Sequence, residues 1–464
     1  MMTKRTFVLL MVLLAVAALM FISPLKDPWD PLPATTAPTE ADKARGQKVG
    51  QVNGDFESEE DWAAELAPST LGDDADVEPA PSVSKAPASP GRAARAVRAQ
   101  DIDRVRLAAE LTPEIDEMLR VGRIPSAAVT CVAGDRIVWS SGRGFCNLRT
   151  KTRCSTDTVF LIGSTFKTMS TVALLQQLDA GKFRLDDPVN EYLTEFKIEN
   201  ENPLYPVTFR HLLTHTSGLP TDFGRHSVWA DEGPPSLADY LRDNLRLQRR
   251  PGRRVVYSNT AFALVAYLVE RFSGQPFKSY MRTQIFAPVG MRDTEFEPRA
   301  DMAERLAIPY MKSRRGRFWP VDWVKADVWA AGVVYGTSVD LGRWLLANLN
   351  GGLLGQRRLL AESTFREMTT RQYSGFAGPI NGGWLNETTA YGLTWWISGV
   401  DGETYIAHSG SVNGYTAFCA GNLDRRTGVA ILTNGNKAHR YLYDLALKVL
   451  DALGDGGGGQ GDEP

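Results

Sequence analysis

Apolar spacing changes four times along the chain, and each change switches the predicted element between helix and strand. In "IDRVRLAAELTPEIDEMLRVG" apolar residues recur near helical spacing up to Gly122, which predicts a helix. "PSAAVTCVAGDRIVWSSGRGF" switches to β-rich runs either side of Ala133, Gly134 and Asp135, which predicts two strands joined by a short turn. In "IGSTFKTMSTVALLQQLDAGK", residues 162–182, Val172, Leu174, Leu175 and Leu178 return to helical spacing and Gly181 marks the stop. This predicts an amphipathic helix with Ser164 at or near its first turn. "SNTAFALVAYLVERFSG" is a further helix ending at Gly274, and "TSVDLGRWLLANLNGG" opens on a capping-box pattern of Thr337 and Asp340. Strands return in "TYIAHSGSV", "GYTAFCAGNL" and "GVAILTNG", and "RYLYDLALKVLDAL" closes as a helix.

Strands at both ends with helices between them predict an α+β fold. The terminal strands pair into one antiparallel sheet flanked by the terminal helices, and a mostly helical lobe is inserted. The folded domain is read as residues 101–453, with a sheet lobe of about 101–162 plus 391–453 and a helical lobe of about 163–390. No internal repeat is visible, nor any G-x-G-x-x-G dinucleotide loop between a strand and a helix.

The flanks have a different character. Lys4 and Arg5 precede an apolar run over residues 7–22. Residues 1–23 therefore read as an export signal or a membrane anchor. No A-x-A-like cleavage site follows, which favours the anchor, with its positive flank left in the cytoplasm. The expectation is an exported protein held in the inner membrane, with its folded domain in the periplasm or outside the cell. Residues 24–100 are rich in Pro, Ala and Ser and read as a disordered linker with one short helical run, "EEDWAAEL". Residues 454–464 read as a flexible Gly-rich tail.

Composition removes some function classes. Lys plus Arg is 52 against 54 Asp plus Glu, a formal net charge of −2, so nothing indicates a nucleic-acid partner. The four cysteines, at 131, 146, 154 and 419, form no C-x-x-C motif. Cys146 and Cys154 are placed either to bridge or to remain thiols. "NET" at Asn386 is a glycosylation sequon that matters only in a host that uses it.

Three short stretches could carry chemistry. Ser164 and Lys167 are three apart, so on a helix their side chains are neighbours. A serine hydroxyl is a weak nucleophile until a base takes its proton. Lysine is such a base only when neutral, which requires burial or nearby cations to lower it from about 10.4. In "VVYSNTAF", Tyr257 could shuttle a proton and Asn259 could hold a substrate amide; equally, Asn259 or Ser258 could cap the next helix and Tyr257 could be core. In "IAHSGSVNGY", His408, Ser409 and Gly410 could line a cleft edge, the glycine permitting close approach.

In order along the chain, S-x-x-K, Y-S-N and a late H-S-G triplet resemble the serine β-lactamase and penicillin-binding-protein superfamily, in its class C β-lactamase-like branch. "DTVFLIGSTFK", "VTFRHLLTHTSGLP", "GMRDTEF", "AAGVVYGTSVDLGRW" and "YGLTWW" extend the likeness over residues 105–450. The resemblance marks "HLLTH", with His211 and His215 four apart, as a structural segment rather than a metal site. It implies that Ser164 attacks a carbonyl to form an acyl-enzyme, that Lys167 takes or relays the proton, and that Tyr257 is the acid–base partner. It also implies that Asn259 orients the substrate, that the Ser164 and Ser411 amides form the oxyanion hole, and that no metal or organic cofactor is needed.

His408 departs from the pattern, since a lysine usually stands there to hold a substrate carboxylate. The triplet His408, Ser409 and Gly410 points to a hydrolase of esters or small amides, with any preference for anionic substrates rising at lower pH. A true β-lactamase or D-Ala-D-Ala carboxypeptidase is one alternative. A catalytically silent, membrane-tethered binding or scaffold protein is another. The substrate expected is a small ester, peptide or β-lactam-like molecule.

Overall fold

The computed structural model describes residues 96–221, 235–313, 317–323, 326, 328–354, 356–373 and 390–454. The export segment, residues 24–95 of the linker, Asn386 and residues 455–464 lie outside the described residues; residues 96–100, read as linker, instead pack on the domain, with Val97 N donating to Arg425 O at 2.8 Å and Val97 and Ala99 buried. Among the described residues no helix is long and apolar enough to cross a membrane.

Helix α1 (Arg104–Gly122) starts where the Asp103 carboxylate accepts the Val105 and Arg106 amides, at 2.9 and 3.1 Å. Strands β1 (Ser126–Ala133) and β2 (Arg136–Asn147) form a hairpin. The predicted three-residue turn is two residues long, because Ala133 pairs with Arg136 and Gly134 alone takes a positive φ, of 60°. Helices α2 (Phe166–Asp179), α3 (Asn259–Ser273) and α4 (Ser338–Leu349) follow. The C-terminal part supplies β3 (Ala390–Tyr391), β4 (Trp396–Val400), β5 (Glu403–Val412), β6 (Tyr415–Asn422), β7 (Thr427–Thr433) and α5 (His439–Gly454).

These strands form one antiparallel sheet in the order β3-β4-β5-β6-β7-β1-β2. The two chain ends meet where Ala127 pairs with Thr433 and Ala133 with Thr427. Strand β1 is buried along its whole length because both of its faces are covered. Ala127, Val129 and Cys131 join Leu107, Leu111, Leu442 and Val449 in one core, beneath α1 and α5. Ala128 and Val132 face the other way, into a second core with Leu341, Trp344 and Leu345 of α4. Period-two alternation thus divides one strand between two cores.

Helix α2 is not amphipathic. Thr168, Ser170 and Thr171 are as buried as its leucines, so almost every side of it is packed. Its hydroxyls find both local and distant partners: Thr168 Oγ1 donates to Thr165 O at 2.8 Å and accepts from Trp344 Nε1 at 2.8 Å, and Thr171 Oγ1 pairs with Thr394 Oγ1. Phe166 locks the helix start, its ring 5.6–6.3 Å from those of Phe277, Phe286 and Phe296. Cys146 and Cys154 are buried thiols and not a disulfide, with their sulfurs directed at Arg153 O (3.5 Å) and Ala127 O (3.4 Å).

Residues 148–151 form a turn. There Asn147 Oδ1 accepts the Arg149 and Thr150 amides at 3.0 and 3.2 Å, an Asx turn.

Candidate active site

Ser164 sits in a single 3₁₀ turn, Gly163–Thr165, that runs straight into α2. That places its hydroxyl at the helix entry, where amide dipoles favour negative charge. Gly163 takes φ +56°, and a Cβ there would lie 2.9 Å from Ser411 N. From the other side, a Cβ on Gly410 would lie 2.3 Å from Ile162 O and 3.1 Å from Ser164 N. Two glycines therefore let strand β5 lie directly against the serine turn, and the Ser164 and Ser411 amides belong to that one approach.

Lys167 is fully buried. Its Nζ is 2.9 Å from Ser164 Oγ and 2.7 Å from Ala331 O. The rings of Tyr257 and Phe262 lie beside it, with centroids 4.8 and 5.6 Å from Nζ. Ser164 Oγ thus has the Lys167 amine in hydrogen-bond contact, and that amine is held by a carbonyl and two aromatic walls.

Tyr257 is positioned by His215. The rings stack at 4.1 Å, Val256 N donates to His215 O at 2.7 Å, and Ser258 N donates to His215 Nδ1 at 3.1 Å. The peptides on both sides of the tyrosine are thus tied to one residue, which itself holds φ +55°. A non-glycine residue in that region stores strain of order 1–3 kcal/mol. Burial holds the His215 imidazole well below its ordinary value, and the charge of Lys167 adds to this. Its partner in "HLLTH", His211, caps a short helix, accepting Thr208 N at Nδ1 at 3.2 Å.

Ser258 is the N-cap of α3: its Oγ accepts Ala261 N at 3.0 Å and donates to Pro220 O at 2.6 Å. Asn259, the first helical residue, is buried and donates from Nδ2 to Thr221 O at 3.3 Å.

His408 is 1% exposed, and Ser164 is 4% exposed. Its Nδ1 lies 2.6 Å from Ser409 O and its ring stacks on Trp396 at 5.4 Å. Burial, reinforced by the charge of Lys167, pushes it down to about 3. Burial therefore works against the protonation that a rise in anion preference at lower pH would need. Ser409 pairs with Phe418, and Phe418 packs on Tyr443 of α5. By strand alternation the Ser409 side chain shares that helix-covered face, away from the serine turn.

The structure thus gathers Ser164, Lys167, Tyr257, His408, Gly410 and Ser411 in one place. The sequence reading missed Ala331, which acts through its carbonyl, and the role of His215. The stretches "AAGVVYG" and "LLTHTSG" that carry them were visible, but nothing in them announces a backbone acceptor or a stacking partner.

The Beta-lactamase family model matches residues 111–453. Penicillin-binding protein 4 of Amycolatopsis lactamdurans is 26% identical over 337 residues, which cover 71% of this chain and 86% of that protein. Protein flp of Staphylococcus aureus strain MW2 is 22% identical over 333 residues, 70% of this chain and 62% of the relative, so the chain spans less than two thirds of that protein. Among solved structures, the octameric penicillin-binding protein homologue from Pyrococcus abyssi superposes with a TM-score of 0.61 at 24% identity, covering 75% of this chain and 77% of that one. At that identity the likeness concerns the fold. The match over most of the folded chain, on top of this geometry, means that the protein belongs to the Beta-lactamase family.

Proposed function

We propose that the protein is a serine hydrolase that cleaves esters or small amides through an acyl-enzyme. The observation that carries this reading is the 2.9 Å contact between Lys167 Nζ and Ser164 Oγ, buried at a helix entry and facing strand β5. In the first half-reaction Ser164 Oγ bonds to the substrate carbonyl carbon while its proton passes to Lys167. The oxyanion forms against the Ser164 and Ser411 amides. The bond to the leaving group then breaks, and that group takes a proton through Tyr257. In the second half-reaction water adds to the acyl carbon, the bond to Oγ breaks, and Ser164 regains its proton. Asn259 orients the acyl side. Acid–base assistance of this kind is typically worth about 10²–10⁴ in rate.

The neutral His408 favours an esterase-like activity over efficient β-lactam hydrolysis, since it supplies no fixed charge for a carboxylate. The test compares kcat/KM for a short p-nitrophenyl ester and a chromogenic cephalosporin, using the full chain with Ser164→Ala as the blank. Ester turnover that disappears in the variant, with little cephalosporin turnover, supports the reading. Fast cephalosporin turnover would make it a β-lactamase, and no Ser164-dependent turnover of either would favour a binding role. The apolar run over residues 7–22 supports an exported, membrane-anchored protein, which membrane fractionation would check.

A further inference from the structure

Residues 246–254, "RLQRRPGRR", carry five arginines and no acid. Arg246 pairs with Glu199 at 2.9 Å. Arg249, Arg250, Arg253 and Arg254 are exposed, and among the described residues none of them makes an ion pair or a side-chain hydrogen bond. The neighbouring segment, residues 199–206, holds two acids, and both are occupied. Glu199 takes Arg246, and Glu201 accepts Val207 N at 2.8 Å and Asn190 Nδ2 at 2.5 Å. Positive charge on this surface is therefore unbalanced.

The backbone beneath these arginines is fixed. Gln248 N donates to Gly218 O at 2.9 Å, Gly252 N to Thr216 O at 2.8 Å and Leu247 N to Glu199 O at 2.9 Å. Tyr373 Oη donates to Arg253 O at 2.6 Å. Beside the loop, Tyr205 N donates to Asn202 O at 2.8 Å and closes a turn begun by Pro203. Leu204 at the corner of that turn is 78% exposed. The Arg250 guanidinium lies 3.4 Å over the Tyr205 ring, and an open cavity of about 320 Å³ is lined by both segments, with Asn200 and Tyr205 on one side and Arg249 and Arg250 on the other. Cations without acid partners and an uncovered leucine thus share one surface.

We propose that this surface docks the folded domain on an anionic phospholipid membrane, with Leu204 entering the headgroup layer and Arg249 and Arg250 meeting lipid phosphates. Guanidinium groups match phosphate oxygens in charge and in geometry. An apolar side chain flanked by cations suits a layer of anionic headgroups over hydrocarbon. A soluble polyanion would engage the arginines but leave Leu204 in water, so the leucine favours the membrane. The contact belongs to the folded domain and is separate from the apolar run over residues 7–22. Arg254 is three residues from Tyr257, at most about 11 Å along the chain, so docking would hold the candidate active site beside the membrane surface.

The test uses the full chain with the apolar fluorophore bimane on Leu204→Cys, the four native cysteines being buried. Vesicles are phosphatidylcholine alone or with about one third phosphatidylglycerol, and the readout is quenching by nitroxide-labelled lipid. A label fixed at one position is needed because the apolar run over residues 7–22 would bring the chain to either vesicle. Bimane on Val105→Cys, at an 81% exposed position of α1, is the control. Quenching at 204 should appear with phosphatidylglycerol, fade in high salt and stay low at 105. Replacing Arg249→Gln and Arg250→Gln together should lower the ratio of docked to undocked domain about 30-fold, each arginine near an anionic surface being worth about 5-fold. Thermal unfolding should be unchanged in that variant, and no reading depends on ester turnover. Equal quenching at 204 in both lipids, or quenching that survives loss of both arginines, would overturn the proposal. An emission change at 204 with soluble polyphosphate but none with vesicles would also overturn it, in favour of a soluble polyanion.

Discussion

Gly410→Ala is the most informative single perturbation of this site. The added Cβ would lie 2.3 Å from Ile162 O and 3.1 Å from Ser164 N. Carbon–oxygen contacts settle at about 3.3 Å or more, so roughly 1 Å of separation must be found. Both obstacles are backbone atoms, and no side chain can swing away. Strand β5 and the serine turn must therefore move apart, carrying the Ser411 amide away from the Ser164 amide. Overpacking of this size costs about 1–3 kcal/mol of stability. The catalytic cost is larger, because misplacing reacting groups by about 1 Å or losing one oxyanion donor lowers kcat by about 10²-fold or more. The assay is kcat on a p-nitrophenyl ester beside thermal unfolding of the same samples. Ser411→Ala is the control: it keeps the backbone amide and should stay within several-fold of wild type. Folded Gly410→Ala with wild-type kcat would refute the idea that this backbone approach builds the oxyanion site.

Further expectations follow from the same geometry. Lys167→Met should lower kcat/KM by about 10²–10⁴ while the protein stays folded, and Tyr257→Phe should do the same, both read by steady-state kinetics and circular dichroism. Phe166→Ala empties the aromatic cluster at the start of α2 and should destabilise the fold by about 3–5 kcal/mol, measured by denaturant titration. His408 is depressed to about 3 in the folded state, against about 6.5 unfolded. Its contribution to stability is therefore complete above pH 6.5 and is lost as pH falls from there towards 3, amounting to roughly 2 kcal/mol by pH 5. Unfolding of wild type and His408→Gln at pH 7 and 5 should show a shallower acid slope in the variant.

How much of this was legible in the sequence depended on the range of the signal. The hairpin, α1, α3 and α5 were readable because periodicity, Gly122, Ser258 and Gly274 act within a few residues, whereas the Asp103 cap of α1 was not read. The pairing of β1 with β7 followed from having strands at both chain ends. The all-round burial of α2 did not follow, because Thr168 and Thr171 read as polar until their hydroxyl partners are known. The capping box at Thr337 was half right: its hydroxyl takes Asp340 N, but the Asp340 carboxylate turns to Asp293 N and Thr294 instead. At the site, spacing marked Ser164 and Lys167 as neighbours on one turn, and the resemblance supplied their expected roles. Ala331 was not, because a carbonyl 164 positions away leaves no mark on residue type. His408 was recognised as a departure, but its charge state depends on burial, which the sequence does not report.

The most direct test of the central claim is intact-mass spectrometry of the full chain, quenched during turnover of a slowly deacylating p-nitrophenyl ester. The account predicts one acyl adduct, mapped by peptide digestion to Ser164, and neither adduct nor turnover in Ser164→Ala. Full ester turnover by Ser164→Ala, or an adduct mapped to another residue, would contradict it.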